Sequence, residues 1–137
     1  IIYNASILSP EFEKSGYNAI WTEEQTDEWL LEVENDKIIS CSRSGGERGW
    51  QLFSVSRWSE EDGEKLRKHL EIEFIEKQNK QIYWDDVAMF CYFDEYDLGI
   101  REMKKGDVIE IDSISELISV DKKYMHYMEE KNEKGKN

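Results

Sequence analysis

The stretch Glu28-Trp29-Leu30-Leu31-Glu32-Val33-Glu34-Asn35-Asp36-Lys37-Ile38-Ile39-Ser40-Cys41-Ser42 reads as strand, turn and strand. Glu28 to Val33 and Lys37 to Ser42 are runs of strand length, and Asn35-Asp36 between them is a two-residue hairpin turn. Working outward, Tyr17 to Thr22 and Trp50 to Val55 are aromatic and β-branched runs of the same kind. Polar Glu23-Glu24-Gln25-Thr26-Asp27 and the glycine-rich Ser44-Gly45-Gly46-Glu47-Arg48-Gly49 separate them, the latter being the most flexible segment. This order predicts an antiparallel meander.

A helix follows the meander. Ser59 stands before Glu60-Glu61-Asp62, a capping hydroxyl ahead of three acids that favour a helix N-terminus, and Leu66, Leu70 and Phe74 then recur at i+4. The pattern predicts one long helix to about Gln78. Tyr83 to Cys91 fits a buried helix starting near Asp85, Leu98 to Met103 and Val108 to Ile111 fit short strands around Lys104-Lys105-Gly106-Asp107, and Ser113 caps a last helical region through Met128. At the other end, Ile1 to Tyr3 reads as strand and Ser9-Pro10-Glu11 as the start of a short helix ending at Gly16. The chain divides into one part over 1–128 and a charged tail over 129–137 that should fray. Its opening residues enter without a cap, a start methionine or a polar leader, as the middle of a longer chain would.

Composition narrows the function. The 137 residues carry 18 Lys and Arg against 31 Asp and Glu, a formal charge of −13 and a pI of about 4.6. That field repels phosphate backbones and anionic lipid, so nucleic-acid and membrane roles are excluded as primary functions. Apolar runs fall far short of the ~20 residues of a membrane span. No secretory signal pattern is visible and the two cysteines, Cys41 and Cys91, lie in apolar or aromatic contexts without metal-ligand spacing. These features predict a cytoplasmic protein with reduced core thiols.

Five Trp and seven Tyr are many for this length. Three clusters join aromatic or apolar residues to acids: Thr26-Asp27-Glu28-Trp29, Tyr83-Trp84-Asp85-Asp86 and Glu110-Ile111-Asp112-Ser113. On a strand Glu110 and Asp112 would share a face, as a hard-cation site or as a solvated rim, and Asp112 could equally cap the next helix. Asp85-Asp86 suits a helix N-terminus at least as well as a metal. Ring faces with nearby carboxylates attract a quaternary ammonium, and Trp21, Trp29, Trp58, Tyr83 and Trp84 could supply such a box or simply pack the core. His69 and His126 lie beside no nucleophile, and the Ser44 to Gly49 loop lacks the Gly-Lys-Ser/Thr of a P-loop.

Thr26-Asp27-Glu28-Trp29, Ser56-Arg57-Trp58, Tyr83-Trp84-Asp85 and Glu110-Ile111-Asp112-Ser113, in this order, resemble the second half of bacterial CTP:phosphocholine cytidylyltransferases, members of the nucleotidyltransferase superfamily. The resemblance implies an α/β fold, the C-terminal part of a Rossmann-like nucleotidyltransferase, with a mixed β-sheet and flanking helices. It implies transfer of CMP from CTP to phosphocholine, with Mg2+ as cofactor and this chain supplying the acceptor and metal side. By the same resemblance Asp85, Glu110 and Asp112 are the acids of the catalytic site, Glu28, Trp29, Trp58, Tyr83 and Trp84 bind the substrate, and Asp85, Asp112 and Asn4 hold the metal. Asn4 stands where the family carries an Asp-x-Asp strand end, so it offers an oxygen without a charge. The family's Gly-rich nucleotide loop is absent from this sequence, which implies an inactive fragment that pairs with a nucleotide-binding half or self-associates through Ile1, Ile2 and Ile7. The alternatives are a phosphoethanolamine or sugar-1-phosphate nucleotidyltransferase, or a non-catalytic choline-binding domain.

Overall fold

A computed structural model describes residues 1–9 and 13–126 and divides the chain into two compact units. The larger, Ala5–Lys105, is built on a five-stranded sheet of order β3-β2-β4-β1-β5. Its strands are β1 Gly16–Thr22, β2 Leu30–Glu34, β3 Lys37–Ser42, β4 Gly49–Arg57 and β5 Gly99–Glu102. β1 runs antiparallel to β4 and parallel to β5, and β2 is antiparallel to both β3 and β4. The sheet is therefore mixed, as the family resemblance implies.

The hairpin of β2 and β3 closes as expected, because Asn35 and Asp36 take φ of 48° and 60°, the left-handed conformations that a two-residue turn demands. Strand β2 begins two residues later than its apolar run, which leaves Glu28 and Trp29 on the preceding turn, where Glu28 N–H donates to Thr26 Oγ1 at 3.1 Å. At the other edge β1 and β5 approach closely: a Cβ on Gly16 would fall 1.9 Å from the Gly99 carbonyl oxygen.

Helix α1, Glu60–Glu71, starts as predicted, with Ser59 Oγ accepting from Asp62 N–H. It does not run on as α-helix to Gln78. From Ile72 to Glu76 the chain widens into a π-helical turn ending at Lys77, where the Lys77 N–H bonds to the Ile72 carbonyl. A second helix, α2, covers Trp84–Asp86 and passes at once into another π-helical turn, Val87–Cys91. Tyr17, Ala19, Leu31 and Ile38 from the sheet, Leu66 from α1 and Val87, Ala88 and Met89 after α2 form one buried cluster with Tyr96 and Leu98. Alternation along β1 puts Tyr17 and Ala19 toward these helices. Asn18, between them, is also buried and donates to the carbonyl of Ile7 in the 3-10 turn Ala5–Leu8.

The smaller unit contains Ile1–Asn4 and the chain from Gly106 on. Neither Ile1 to Tyr3 nor Val108 to Ile111 forms the expected strand; a single bridge pairs Ile2 with Val108. Helix α3, Ile114–Val120, carries the predicted cap at Ser113, which also makes a reciprocal capping box with Glu116. The start of the expected helix at Ser9-Pro10-Glu11 falls on 10–12, and the end of the last helical region and the charged tail fall on 127–137, all outside the described residues; 13–15 are not helical and Gly16 opens a strand.

Two burial expectations change. Ile7 is buried, so it offers no apolar edge, whereas Ile1 and Ile2 are exposed. Cys91 is exposed, because the wider π turn rotates it out of the core face, while Cys41 stays half-buried. His69 is buried, with Nδ1 2.7 Å from the Tyr96 hydroxyl and its ring stacked on Tyr92. Among the described residues no helix is long and apolar enough to cross a membrane.

Candidate functional site

Of the predicted acceptor residues, Trp29 and Tyr83 meet beside helix α2 in the larger unit. Tyr83 precedes its first turn, and the Tyr83 N–H donates to Asp86 Oδ2 at 2.7 Å, so the carboxylate caps the helix start. Asp85 and Asp86 are both buried, in the first turn where unmatched N–H groups favour negative charge. Asp85 Oδ2 accepts from Ser54 Oγ on β4 at 3.0 Å. The buried Tyr17 hydroxyl lies beside Asp85 and interacts with its carboxylate. Burial pushes the Asp85 carboxyl above its usual range, the Ser54 and Tyr17 hydroxyls work against this, and Asp86 adds to it. Cys41 sits in the same surroundings and its thiol is pushed up to about 12, chiefly by burial.

Trp29, Tyr83 and Phe90 form an aromatic cluster at the side of α2. The Trp29 ring meets Tyr83 edge to face at 6.4 Å and Phe90 at 5.3 Å. Arg43, one residue past β3, enters this cluster. Its guanidinium carbon lies 3.9 Å from the Phe90 ring centre and 5.9 Å from that of Trp29, and the same guanidinium pairs with Asp86 Oδ1. The loop that carries Arg43 is held by two backbone hydrogen bonds between Thr26 and Gly46, each 3.0 Å. Gly45 makes this possible: its φ is +68°, and a Cβ there would lie 1.9 Å from the Thr26 carbonyl oxygen.

The other candidates are placed differently. Trp84 stacks on Tyr17 at 6.3 Å and remains partly exposed, so its ring faces Tyr17 and is not paired with Trp29. Trp58 packs between Tyr17 and Tyr96 and donates its ring N–H to Ser56, as a core residue. Trp21 lines, with Trp50, Glu32 and Arg48, a cavity of about 400 Å³ on β1–β4. Glu28 is exposed. In the smaller unit Glu110 and Asp112 are exposed on irregular chain, which removes the strand alternation that would have put them on one face. Asn4 donates its side-chain N–H to Asp107 at 3.0 Å. Among the described residues no three His, Cys, Asp or Glu side chains form a group able to hold a metal ion.

Arg43, Phe90, Ser54 and Tyr17 escaped the sequence reading, while Asp86 takes the helix-start place that was expected of Asp85-Asp86. Phe90 follows Tyr83 by seven residues and Asp86 by four, a helical spacing that could have placed it beside them; nothing local marked Arg43.

The mixed sheet with helices packed against it has the α/β architecture expected from the sequence. Comparison with known proteins agrees. The chain is 24% identical over 128 residues to the 2-aminoethylphosphonate cytidylyltransferase of Lancefieldella rimae, covering 93% of this chain and 52% of that protein. It is 24% identical over 106 residues to the choline-phosphate cytidylyltransferase of Streptococcus pneumoniae, covering 77% and 46%. Among solved structures, the CTP:phosphocholine cytidylyltransferase of Streptococcus pneumoniae superimposes with a TM-score of 0.68 at 22% identity, over 82% of this chain and 49% of that one. No family model matches. The chain is thus similar to cytidylyltransferases in sequence and fold, and spans about half the length of the curated relatives it matches.

Proposed function

We propose that this chain is the acceptor-binding part of a cytidylyltransferase that joins CMP from CTP to a small phosphate or phosphonate bearing an ammonium group, with phosphocholine as acceptor. The observation that carries this reading is the cluster of Trp29, Tyr83 and Phe90 beside two buried carboxylates. Ring faces bind a desolvated organic cation, and Asp85 and Asp86 give it charge complementarity without requiring a hydrogen bond from it. The buried Asp85 carboxylate, which faces neutral hydroxyls, also suits a hard cation, so Asp85 is our choice of magnesium ligand. Magnesium, when bound, would supply charge neutralisation between the attacking oxygen and the CTP α-phosphate. The part of this chain is to bind the ammonium end, to orient the acceptor for in-line attack and to keep water from the cluster.

A second acceptor, 2-aminoethylphosphonate, is favoured by the relative that matches 93% of the chain. Its primary ammonium would donate hydrogen bonds to Asp85 Oδ1, which a quaternary ammonium cannot.

The sequence lacks a Gly-rich, basic phosphate loop, so the chain alone should release no pyrophosphate from CTP, phosphocholine and magnesium, and should do so when a nucleotide-binding half is supplied in trans. Calorimetry of this chain with phosphocholine, 2-aminoethylphosphonate and glucose 1-phosphate tests the acceptor class directly. Preference for the sugar phosphate, or turnover by the chain alone, would overturn the reading.

A further inference from the structure

The aromatic cluster already contains a cation. Arg43 lies over the Phe90 and Trp29 rings and pairs with Asp86, whose side chain is 4% exposed, while the Arg43 side chain itself is 51% exposed. A carboxylate this buried is costly to leave without a counter-charge. Arg43 supplies one, from a position where its outer half still meets water. Its backbone is pinned by the Thr26–Gly46 pairing, so the side chain can swing outward without moving the loop.

We propose that Arg43 is the resident cation of this cluster, and that an incoming organic ammonium binds by displacing its guanidinium from Phe90, Trp29 and Asp86. The exchange leaves the local charge unchanged: Asp86 is paired with Arg43 before binding and with the ligand after it. Arg43 thereby sets a threshold. A bare ammonium ion must give back the contacts that Arg43 made, and only an acceptor with further contacts through its phosphate gains net affinity. The inference rests on the reading that an ammonium group binds here, and it names Arg43 as the residue that sets selectivity for the acceptor.

The probe is tetramethylammonium chloride, titrated calorimetrically into the wild-type chain, Arg43→Gln and Arg43→Lys, with phosphocholine in parallel and choline-free buffer at fixed ionic strength. Gln keeps an amide for Asp86 but has no charge to compete. Removal of one ring-face competitor should tighten tetramethylammonium binding by about tenfold in Arg43→Gln, with Arg43→Lys close to wild type. Equal or weaker binding by Arg43→Gln would overturn the inference, as would an equal gain in Arg43→Lys. The wild-type chain provides a check free of any folding defect. By NMR the Arg43 side-chain protons should be shifted upfield by the Phe90 ring and should lose that shift on saturation with tetramethylammonium; a shift absent at the start or unchanged at saturation would refute displacement. Phosphocholine binding that is the same in wild type and Arg43→Gln removes the role of Arg43 and leaves the acceptor reading intact. Tighter tetramethylammonium binding without pyrophosphate release in the complemented reaction does the reverse.

Discussion

Glu73 offers the sharpest test of how the site helix is held. It lies in the π turn after α1, is only 3% exposed, and its carboxylate collects three donors: Lys77 Nζ at 2.5 Å, Tyr92 OH at 2.9 Å and Asn79 Nδ2 at 2.9 Å. Tyr92 closes the second π turn, so this one side chain ties the end of α1 to the end of the helix that begins with Asp85 and Asp86. In Glu73→Gln one oxygen becomes an NH2 that faces a donor. A hydrogen bond to a buried charge is worth about 1.5–3 kcal/mol, and the Lys77 share is small because Lys77 is more than half exposed, so the loss should be about 2 kcal/mol. In a domain of this size that corresponds to a fall of roughly 6–10 °C in Tm.

The pH dependence has a definite sign. Hydrogen bonds from Asn79 and Lys77 hold the Glu73 carboxyl down to about 2, below its ordinary 4.5, against the opposing effect of burial. A depressed carboxyl contributes stability above its unfolded value and loses it as pH falls through the folded one. The stability difference between wild type and Glu73→Gln, measured by urea unfolding followed by circular dichroism, should be full at pH 7 and shrink between pH 4.5 and about 2. A difference below about 0.5 kcal/mol at pH 7, within the range of an ordinary surface change, would refute the account. So would a difference that does not change with pH.

Other outcomes follow from the same geometry. Trp29→Ala should weaken phosphocholine binding more than tenfold, on the scale of about 2 kcal/mol for a desolvated ring-face contact, and Trp84→Ala should do so by less because its ring is stacked on Tyr17; calorimetry compares them. Asp85→Asn should stabilise the ligand-free chain at neutral pH, since burial raises this carboxyl and its ionisation is paid for in stability as pH rises; the gain should vanish below the ordinary value of 3.8, and thermal unfolding across pH reads it. Ser59→Ala should cost about 1 kcal/mol in urea unfolding through loss of the α1 cap. Gly45→Ala should cost about 2 kcal/mol or more and abolish the Arg43 ring-current shift, because the loop can no longer stay pinned to Thr26.

The sequence was most legible where the signal is local. Ser59 and Ser113 cap the helices they were expected to cap, and the Asn35-Asp36 turn has only one comfortable geometry. Those features are decided within four residues. The π turns were not legible, since widening a helix by one residue depends on what the other helix presents: Glu73 and Tyr92 meet across a separation of 19 residues. The same widening turned Cys91 outward although its neighbours are apolar. The expected strand at Val108 is reduced to its single bridge with Ile2, a long-range pairing that no local signal specifies.

Site legibility divides along the same line. Tyr83-Trp84-Asp85-Asp86 stood out as a cluster, yet adjacent residues on a helix start point in different directions, and the structure separates them: Tyr83 toward Trp29, Trp84 toward Tyr17, Asp85 toward Ser54, Asp86 toward Arg43. Composition alone could not say which carboxylate was committed. Asp86 has one oxygen at the helix start and the other paired with the Arg43 cation, whereas Asp85 is answered by the neutral hydroxyls of Ser54 and Tyr17. A fold selected for stability alone would place an amide or an apolar residue there. A buried carboxylate at a helix start, answered by neutral hydroxyls and raised by burial, is a functional-site candidate on physical grounds.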